Sequence, residues 1–128
     1  MARGRYRIEQ ELGRGGAGTV FLARDTRLNR LVALKVYHRR GRAEWERLLV
    51  EARTPAQIEH PLVCRVLDLE ESLFGLALEY LPAGSVKAVL DRGGYDVPRA
   101  LGLLATAAEG LLAVHAAGFV HRDIKPSN

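Results

Sequence analysis

Between residues 6 and 37, three stretches read as strands by the pattern of their hydrophobic and polar positions. They are "YRIEQEL" (residues 6–12) and "TVFLARD" (residues 19–25), which alternate, and "LVALKVY" (residues 31–37), which is rich in β-branched and apolar residues. Successive side chains of extended backbone point to opposite faces, so such alternation marks a half-covered sheet. "GRGGAG" interrupts the first pair and "TRLNR" the second. The period then changes. Trp45, Leu48, Leu49, Ala52 and Ala56 recur at helical spacing and predict a helix over residues 43–54. Pro55 lacks the amide that would bond the Glu51 carbonyl, and its ring crowds that turn. The penalty is roughly 3 kcal/mol in a helix interior, so the helix is expected to end or kink near residues 53–54.

Two further strands are predicted in "CRVLDLE" (residues 64–70) and "LFGLALEY" (residues 73–80), and "LPAG" breaks the pattern. Ser85 is placed to cap a short helix running to about Asp91. Pro98 suits the first turn of a long helix, which is expected to run to about Ala117 with Gly118 as its stop. Three strands, a helix, two strands, a break and then helices predict an α+β chain. Its first part is a five-stranded antiparallel sheet with one packed helix, and "YLPAG" (residues 80–84) is the candidate boundary.

Composition narrows the class. The 128 residues are 48% hydrophobic and 27% charged, which suits one soluble globular unit. The single cysteine, Cys64, excludes an internal disulfide and fits a reducing, cytoplasmic setting. The first ten residues have no apolar core and do not read as a secretory signal. "LGLLATAAEGLLAVHAAGFV" carries Glu109, His115 and several glycines, and reads as a buried helix in preference to a membrane span.

The net charge of +4 is uneven: residues 1–42 hold eleven Lys/Arg against three Asp/Glu, and residues 43–128 hold eight against twelve. The arginines are scattered along alternating strands without interleaved stacking aromatics, so no nucleic-acid groove is expected. There are sixteen Arg and three Lys, namely Lys35, Lys87 and Lys125. Where generic positive charge is supplied by Arg, a Lys points to a site that wants a compact ammonium on a flexible stem.

Gly13, Gly15 and Gly18 form a G-x-G-x-x-G pattern. A dinucleotide-binding turn needs a helix after the glycines, and a Walker-type loop needs a Lys after the last one. Here a strand pattern and Thr19 follow. A glycine-rich hairpin remains, serving either close approach of backbone N–H groups to phosphate or an ordinary tight turn. In "LVALKVY", Val32, Leu34 and Val36 share the core face, while Ala33 and Lys35 share the other. Lys35 either reaches a ligand beneath the glycine loop or extends to solvent. The next helix offers Glu44, Glu46 and Glu51 as counter-charges for Lys35, and Glu51 could instead pair at the surface with Arg47, one turn earlier. His38 and His60 show no metal-ligand spacing with Cys64.

"HRDIKPSN" (residues 121–128) completes an ordered set: "GRGGAGTV", "VALK", a helix with a Glu, "HPLV", "LEYLPAG", and then this octet. With these motifs the chain, from Tyr6 to Asn128, resembles the N-terminal part of a eukaryotic-like, bacterial-type serine/threonine protein kinase. The resemblance implies a small lobe and hinge over residues 1–81 and the start of a helical large lobe over residues 82–128. It implies ATP and Mg²⁺ as cofactors and a protein substrate with a Ser or Thr acceptor.

By the same resemblance, the loop of Gly13, Arg14, Gly15, Gly16 and Gly18 covers the ATP phosphates, and Val20 and Ala33 sandwich the adenine. Lys35 holds the α- and β-phosphates and pairs with Glu51. Leu78 stands at the back of the pocket, and the backbones of Glu79 and Leu81 bond the adenine edge. Asp123 accepts the proton of the substrate hydroxyl, Lys125 neutralises the γ-phosphate, and Asn128 binds Mg²⁺. His121 braces the following loop, and Arg122 meets an activation-loop phosphate. Family members continue into an Asp-Phe-Gly segment after the position of Asn128. The 128 residues are therefore expected to be the front portion of such an enzyme, inactive or very weak in isolation. A partner is expected to cover the apolar helix faces. The alternative is a non-catalytic module that binds nucleotide or another protein.

Overall fold

The structure is a computed structural model that describes residues 4–128. The chain divides into two compact units, Met1–Gln57 with Arg65–Tyr80, and Ile58–Cys64 with Leu81–Asn128. The first contains β1 (Tyr6–Arg14), β2 (Gly18–Asp25), β3 (Arg30–Tyr37), α1 (Arg42–Gln57), β4 (Val66–Glu70) and β5 (Gly75–Glu79). The strands form one antiparallel sheet in the order β1-β2-β3-β5-β4. Its core is the face anticipated from β3. Val32 and Leu34 are fully buried with Ala23 and Ala77, and Val36, Leu67 and Leu73 pack against them. The α+β class and the five-stranded sheet stand as expected.

Three boundaries depart from the sequence reading. The last two strands are shorter at their starts; β5 begins only at Gly75 because a 3₁₀ turn over Glu71–Leu73 precedes it and Phe74 takes a left-handed φ of 48°. The helix α1 does not stop before Pro55 but runs on to Gln57. Pro55 lies in its last turn, where only two residues follow, so one lost hydrogen bond does not undo the element. Trp45 and Ala52 anchor α1, and the Trp45 ring meets Phe74 edge-on at 5.8 Å between centroids. At the sheet edge, β1 changes register against β2 twice, between Ile8 and Gln10 and between Glu11 and Gly13.

A buried carboxylate ties the two ends of the β1–β2 hairpin together. Asp25 is fully buried and accepts Arg5 Nε at 3.1 Å and Nη2 at 2.7 Å, as well as the amides of Arg27 at 3.0 Å and Leu28 at 3.3 Å. Arg5 also pairs with Asp68 on β4, which accepts the Tyr6 hydroxyl at 3.3 Å. The Arg5 bonds outweigh the cost of burial and hold the Asp25 carboxyl down to about 2, whereas burial pushes the Tyr6 phenol up to about 12.

The second unit contains α2 (Val86–Asp91) and α3 (Val97–Ala116). The Ser85 hydroxyl caps α2 by accepting the Ala88 amide at 3.2 Å, and the Asp96 carboxylate caps α3 by accepting the Arg99 amide at 2.9 Å. Gly118, at φ 80°, closes the C-terminal end with its N–H on the His115 carbonyl at 2.9 Å. A Cβ at Gly110 would lie 2.9 Å from the Leu62 carbonyl oxygen, so the absence of a side chain lets residues 58–64 approach α3. The expected burial of this helix is not observed. Only Gly110 and Val114 are buried, while Val97, Leu101, Leu104 and Leu112 are exposed. The unit offers α3 too few packing partners to cover its apolar sides. By length and composition alone α3 is apolar enough to cross a membrane.

Candidate functional site

The glycine loop is the β1–β2 turn. The Gly15 N–H donates to the Gly18 carbonyl at 2.9 Å and closes it. Gly18 is the position where glycine is compulsory, since a Cβ there would stand 2.4 Å from the Val36 carbonyl oxygen on β3. A Cβ at Gly13, Gly15 or Gly16 would meet nothing within 4 Å, so these residues border open space. The Arg14 guanidinium turns back to Glu11, with Nη2 3.0 Å from Oε2. His38, just beyond β3, holds the loop tip. Its N–H donates to the Ala17 carbonyl at 3.0 Å, Nδ1 is 3.3 Å from the Gly16 carbonyl oxygen, and Nε2 is 3.0 Å from Thr19 Oγ1.

Directly opposed residues of antiparallel strands share a face. Val20 opposes Lys35, Leu22 opposes Ala33, and Ala33 opposes Leu78. Val20, Ala33, Lys35 and Leu78 therefore lie together on the face opposite the Val32–Leu34 core. Lys35 Nζ sits 5.1 Å from the centroid of the Tyr37 ring, a cation–π contact. The anticipated Lys35–Glu51 ion pair is not formed. Glu51 instead meets Arg47 Nε at 3.4 Å, with both side chains nearly two-thirds exposed. Residues four apart on a helix are neighbours whatever the sheet does, so the local partner is always within reach. Glu51 remains near Tyr37, whose hydroxyl is raised first by burial and then by the Glu51 charge. A cavity of about 420 Å³ runs from Gly16 and Ala17 at the loop tip to Tyr37, Leu48 and Glu51. At the end of β5, the Glu79 N–H donates to the Arg65 carbonyl at 2.9 Å, and the Glu79 carboxylate accepts the Arg65 N–H at 3.2 Å.

The second unit carries the octet. Asn128 Nδ2 donates to Asp123 Oδ2 at 2.9 Å and to the Asp123 carbonyl at 2.8 Å, while Lys125 Nζ lies 3.5 Å from the same Oδ2. The Asp123 N–H donates to His121 Nδ1 at 3.2 Å, and the Lys87 N–H on α2 donates to the Pro126 carbonyl at 2.8 Å. Arg122 has a left-handed φ of 64°, a conformation that costs a side-chain-bearing residue on the order of 1 kcal/mol. The Asn128 bond, and after it the Lys125 charge, hold the Asp123 carboxyl below the ordinary carboxylate range. Asp123, Lys125 and Asn128 thus form one contact cluster, and Asp123 is kept ionised. Leu81 belongs to this unit, exposed, with its carbonyl accepting the Gly84 N–H at 3.2 Å.

His38 was not singled out in the sequence beyond the absence of metal spacing. No local pattern marks it, because its partners Gly16 and Thr19 are set by hairpin register.

The protein kinase domain family matches residues 6–128. The chain is 42% identical over 130 residues to serine/threonine-protein kinase pkn2 of Myxococcus xanthus, covering 98% of this chain and 16% of that protein. It is 38% identical over 137 residues to the probable serine/threonine-protein kinase pknA2 of Bifidobacterium longum, covering 100% and 18%. It is 38% identical over 136 residues to serine/threonine-protein kinase PknA of Mycobacterium tuberculosis, covering 98% and 32%. The chain belongs to the protein kinase family, and it spans a third or less of the length of these curated relatives.

That family uses ATP and a divalent metal in general, and the residues present fit both. The open space beside Gly13, Gly15 and Gly16 admits phosphate oxygens to the backbone, and Lys35 has no carboxylate partner among the described residues. The Asn128 amide, donating through Nδ2, leaves its oxygen for a hard cation beside the ionised Asp123. Among the described residues no cluster of three His, Cys, Asp or Glu offers another metal site.

Proposed function

We propose that this chain carries the nucleotide-binding and catalytic-loop residues of a cytoplasmic serine/threonine protein kinase, which moves the γ-phosphoryl group of ATP to a Ser or Thr hydroxyl of a protein. The observation that carries the reading is the cluster of Asp123, Lys125 and Asn128. An ionised carboxylate, an ammonium and an amide oxygen within one loop are what in-line phosphoryl transfer asks of a protein, where positioning and charge neutralisation are most of the work.

Asp123, whose carboxyl Asn128 and then Lys125 hold below the ordinary carboxylate range, orients the acceptor hydroxyl and takes its proton. Lys125 faces the charge that develops on the transferred group. Mg²⁺, when bound, supplies neutralisation of phosphate charge, and Asn128 is the residue of this chain that would hold it. Gly13, Arg14, Gly15, Gly16 and Gly18 lie over the phosphates, and Lys35 binds them. Val20, Ala33 and Leu78 present the flat apolar face for the base, with the backbones of Glu79 and Leu81 at its polar edge. Residues 1–81 serve as the small lobe and hinge, and residues 82–128 begin the large lobe. Glu51, near Tyr37, is the carboxylate of this chain that would pair with Lys35 once released from Arg47.

The test is Mg²⁺-dependent transfer of labelled γ-phosphate to Ser/Thr peptides by the full-length protein. Asp123→Asn is expected to lower kcat by about 10²- to 10⁴-fold, the usual worth of a positioned base, with nucleotide binding retained. Equal rates in the two proteins would remove Asp123 from the chemistry.

A further inference from the structure

We infer that His38 is a positioning residue that latches the glycine loop and sets the direction of the backbone N–H groups at its tip. The inference rests on the proposed nucleotide-binding reading, and it names a residue which that reading does not use. Three hydrogen-bonding groups of one residue converge on the loop: the His38 N–H on the Ala17 carbonyl, Nδ1 on the Gly16 carbonyl, and Nε2 on the Thr19 hydroxyl.

The chemistry of each contact is complementary. A carbonyl oxygen can only accept, so Nδ1 carries the hydrogen and Nε2 accepts from Thr19. Thr19 is buried at 5% exposure, and its hydroxyl is satisfied by this ring nitrogen. His38 itself is exposed, so its ring is held by these bonds and not by packing.

The consequence follows from the planarity of the peptide. In a trans peptide the C=O of one residue and the N–H of the next point in opposite directions. Fixing the Gly16 and Ala17 carbonyls on His38 therefore turns the Ala17 and Gly18 N–H groups away from it. The Gly15–Gly18 bond closes the loop but does not touch the Gly16 carbonyl, and glycine at position 16 leaves that peptide plane free to rotate unless a group outside the loop holds it. His38 supplies the hold, from the end of the strand that bears Lys35. Loop and lysine are thus referenced to the same strand.

The test uses the full-length protein and two readouts. Without nucleotide, hydrogen exchange of residues 13–19 is expected to speed up in His38→Ala, and unchanged exchange would overturn the latch whatever the protein binds. With MgATP, His38→Ala is expected to raise KM for ATP about three- to tenfold with kcat within about twofold, the worth of roughly one hydrogen bond. His38→Asn, which keeps a donor at the Nδ1 position, is expected to recover part of that loss. Thr19→Val should add little on top of His38→Ala, because the partner is already gone. A wild-type KM in His38→Ala, or a full additive loss in the double variant, would overturn the assignment. Failure of the wild-type protein to bind MgATP would instead overturn the nucleotide reading and the inference with it.

Discussion

The two units hold their key residues by different means. In the first, Lys35 and the glycine loop are built on strands whose opposite face is a closed core of Val32, Leu34, Ala23 and Ala77. In the second, Asp123, Lys125 and Asn128 sit on an exposed irregular loop held by hydrogen bonds and one ion pair, in a unit whose long helix has two buried residues of twenty. Apolar packing fixes the strands that bear Lys35 and the glycine loop, and short polar bonds fix Asp123, Lys125 and Asn128. The first kind of order resists single changes by bulk; the second is lost one bond at a time.

That contrast can be broken most sharply by truncating apolar side chains. Leu34→Ala in the first unit should cost about 2–5 kcal/mol in a urea melt followed by Trp45 fluorescence. Leu112→Ala on the exposed side of α3 should stay within about 0.5 kcal/mol when the 128-residue chain is followed by far-ultraviolet circular dichroism. Similar costs at both sites would mean that α3 is packed as tightly as the sheet.

A smaller effect comes from acid. The folded-state pKa of Asp25 lies below its unfolded value, so the unfolded chain takes up the proton first as pH falls. The stabilisation is complete above about pH 4 and is lost between about 4 and 2, by on the order of 2 kcal/mol. Urea midpoints at pH 7 and pH 3 should differ less in Asp25→Asn than in the natural sequence. An equal difference in both would show that Arg5 and Asp25 do not carry the acid sensitivity of the sheet.

The smallest effect sharpens the second half of the comparison. Asn128→Ala removes the bond that contributes most to holding the Asp123 carboxyl below the ordinary range. The Asp123 carboxyl should then titrate higher, toward the ordinary carboxylate range, in a carbon-detected NMR titration. An unchanged titration would mean that Lys125 alone sets its charge.

Much of this architecture was legible in the chain. Alternation over residues 31–37 assigns Val32 and Leu34 to the core and Lys35 to the other face, because one covered face imposes a strict period of two. Ser85 and Gly118 announce the helix ends they make. The octet at residues 121–128 is compact, so its contacts need only a local turn and no distant partner. What could not be read depends on competition between distant and near partners. Glu51 has Arg47 one turn away and Lys35 on another element, and no pattern in the chain decides between them. Pro55 has a known cost in a helix interior, but how many residues follow it is set by packing. Asp96 takes the capping place ahead of Pro98, so α3 starts one residue earlier than its proline suggests.

The two register changes in β1 bear on how the chain meets other molecules. Strand β1 is the outer strand next to β2, and past Tyr6 it is exposed throughout. An outer strand with an even ladder of unpaired amides invites a neighbouring chain to extend the sheet. Two irregularities within nine residues, with Arg7, Glu9, Glu11 and Arg14 along the same edge, spoil that ladder. The glycine loop thus hangs from a strand whose open side disfavours a new neighbour. Its shape answers to the chain's own hairpin, and crowding by other copies has little purchase on it.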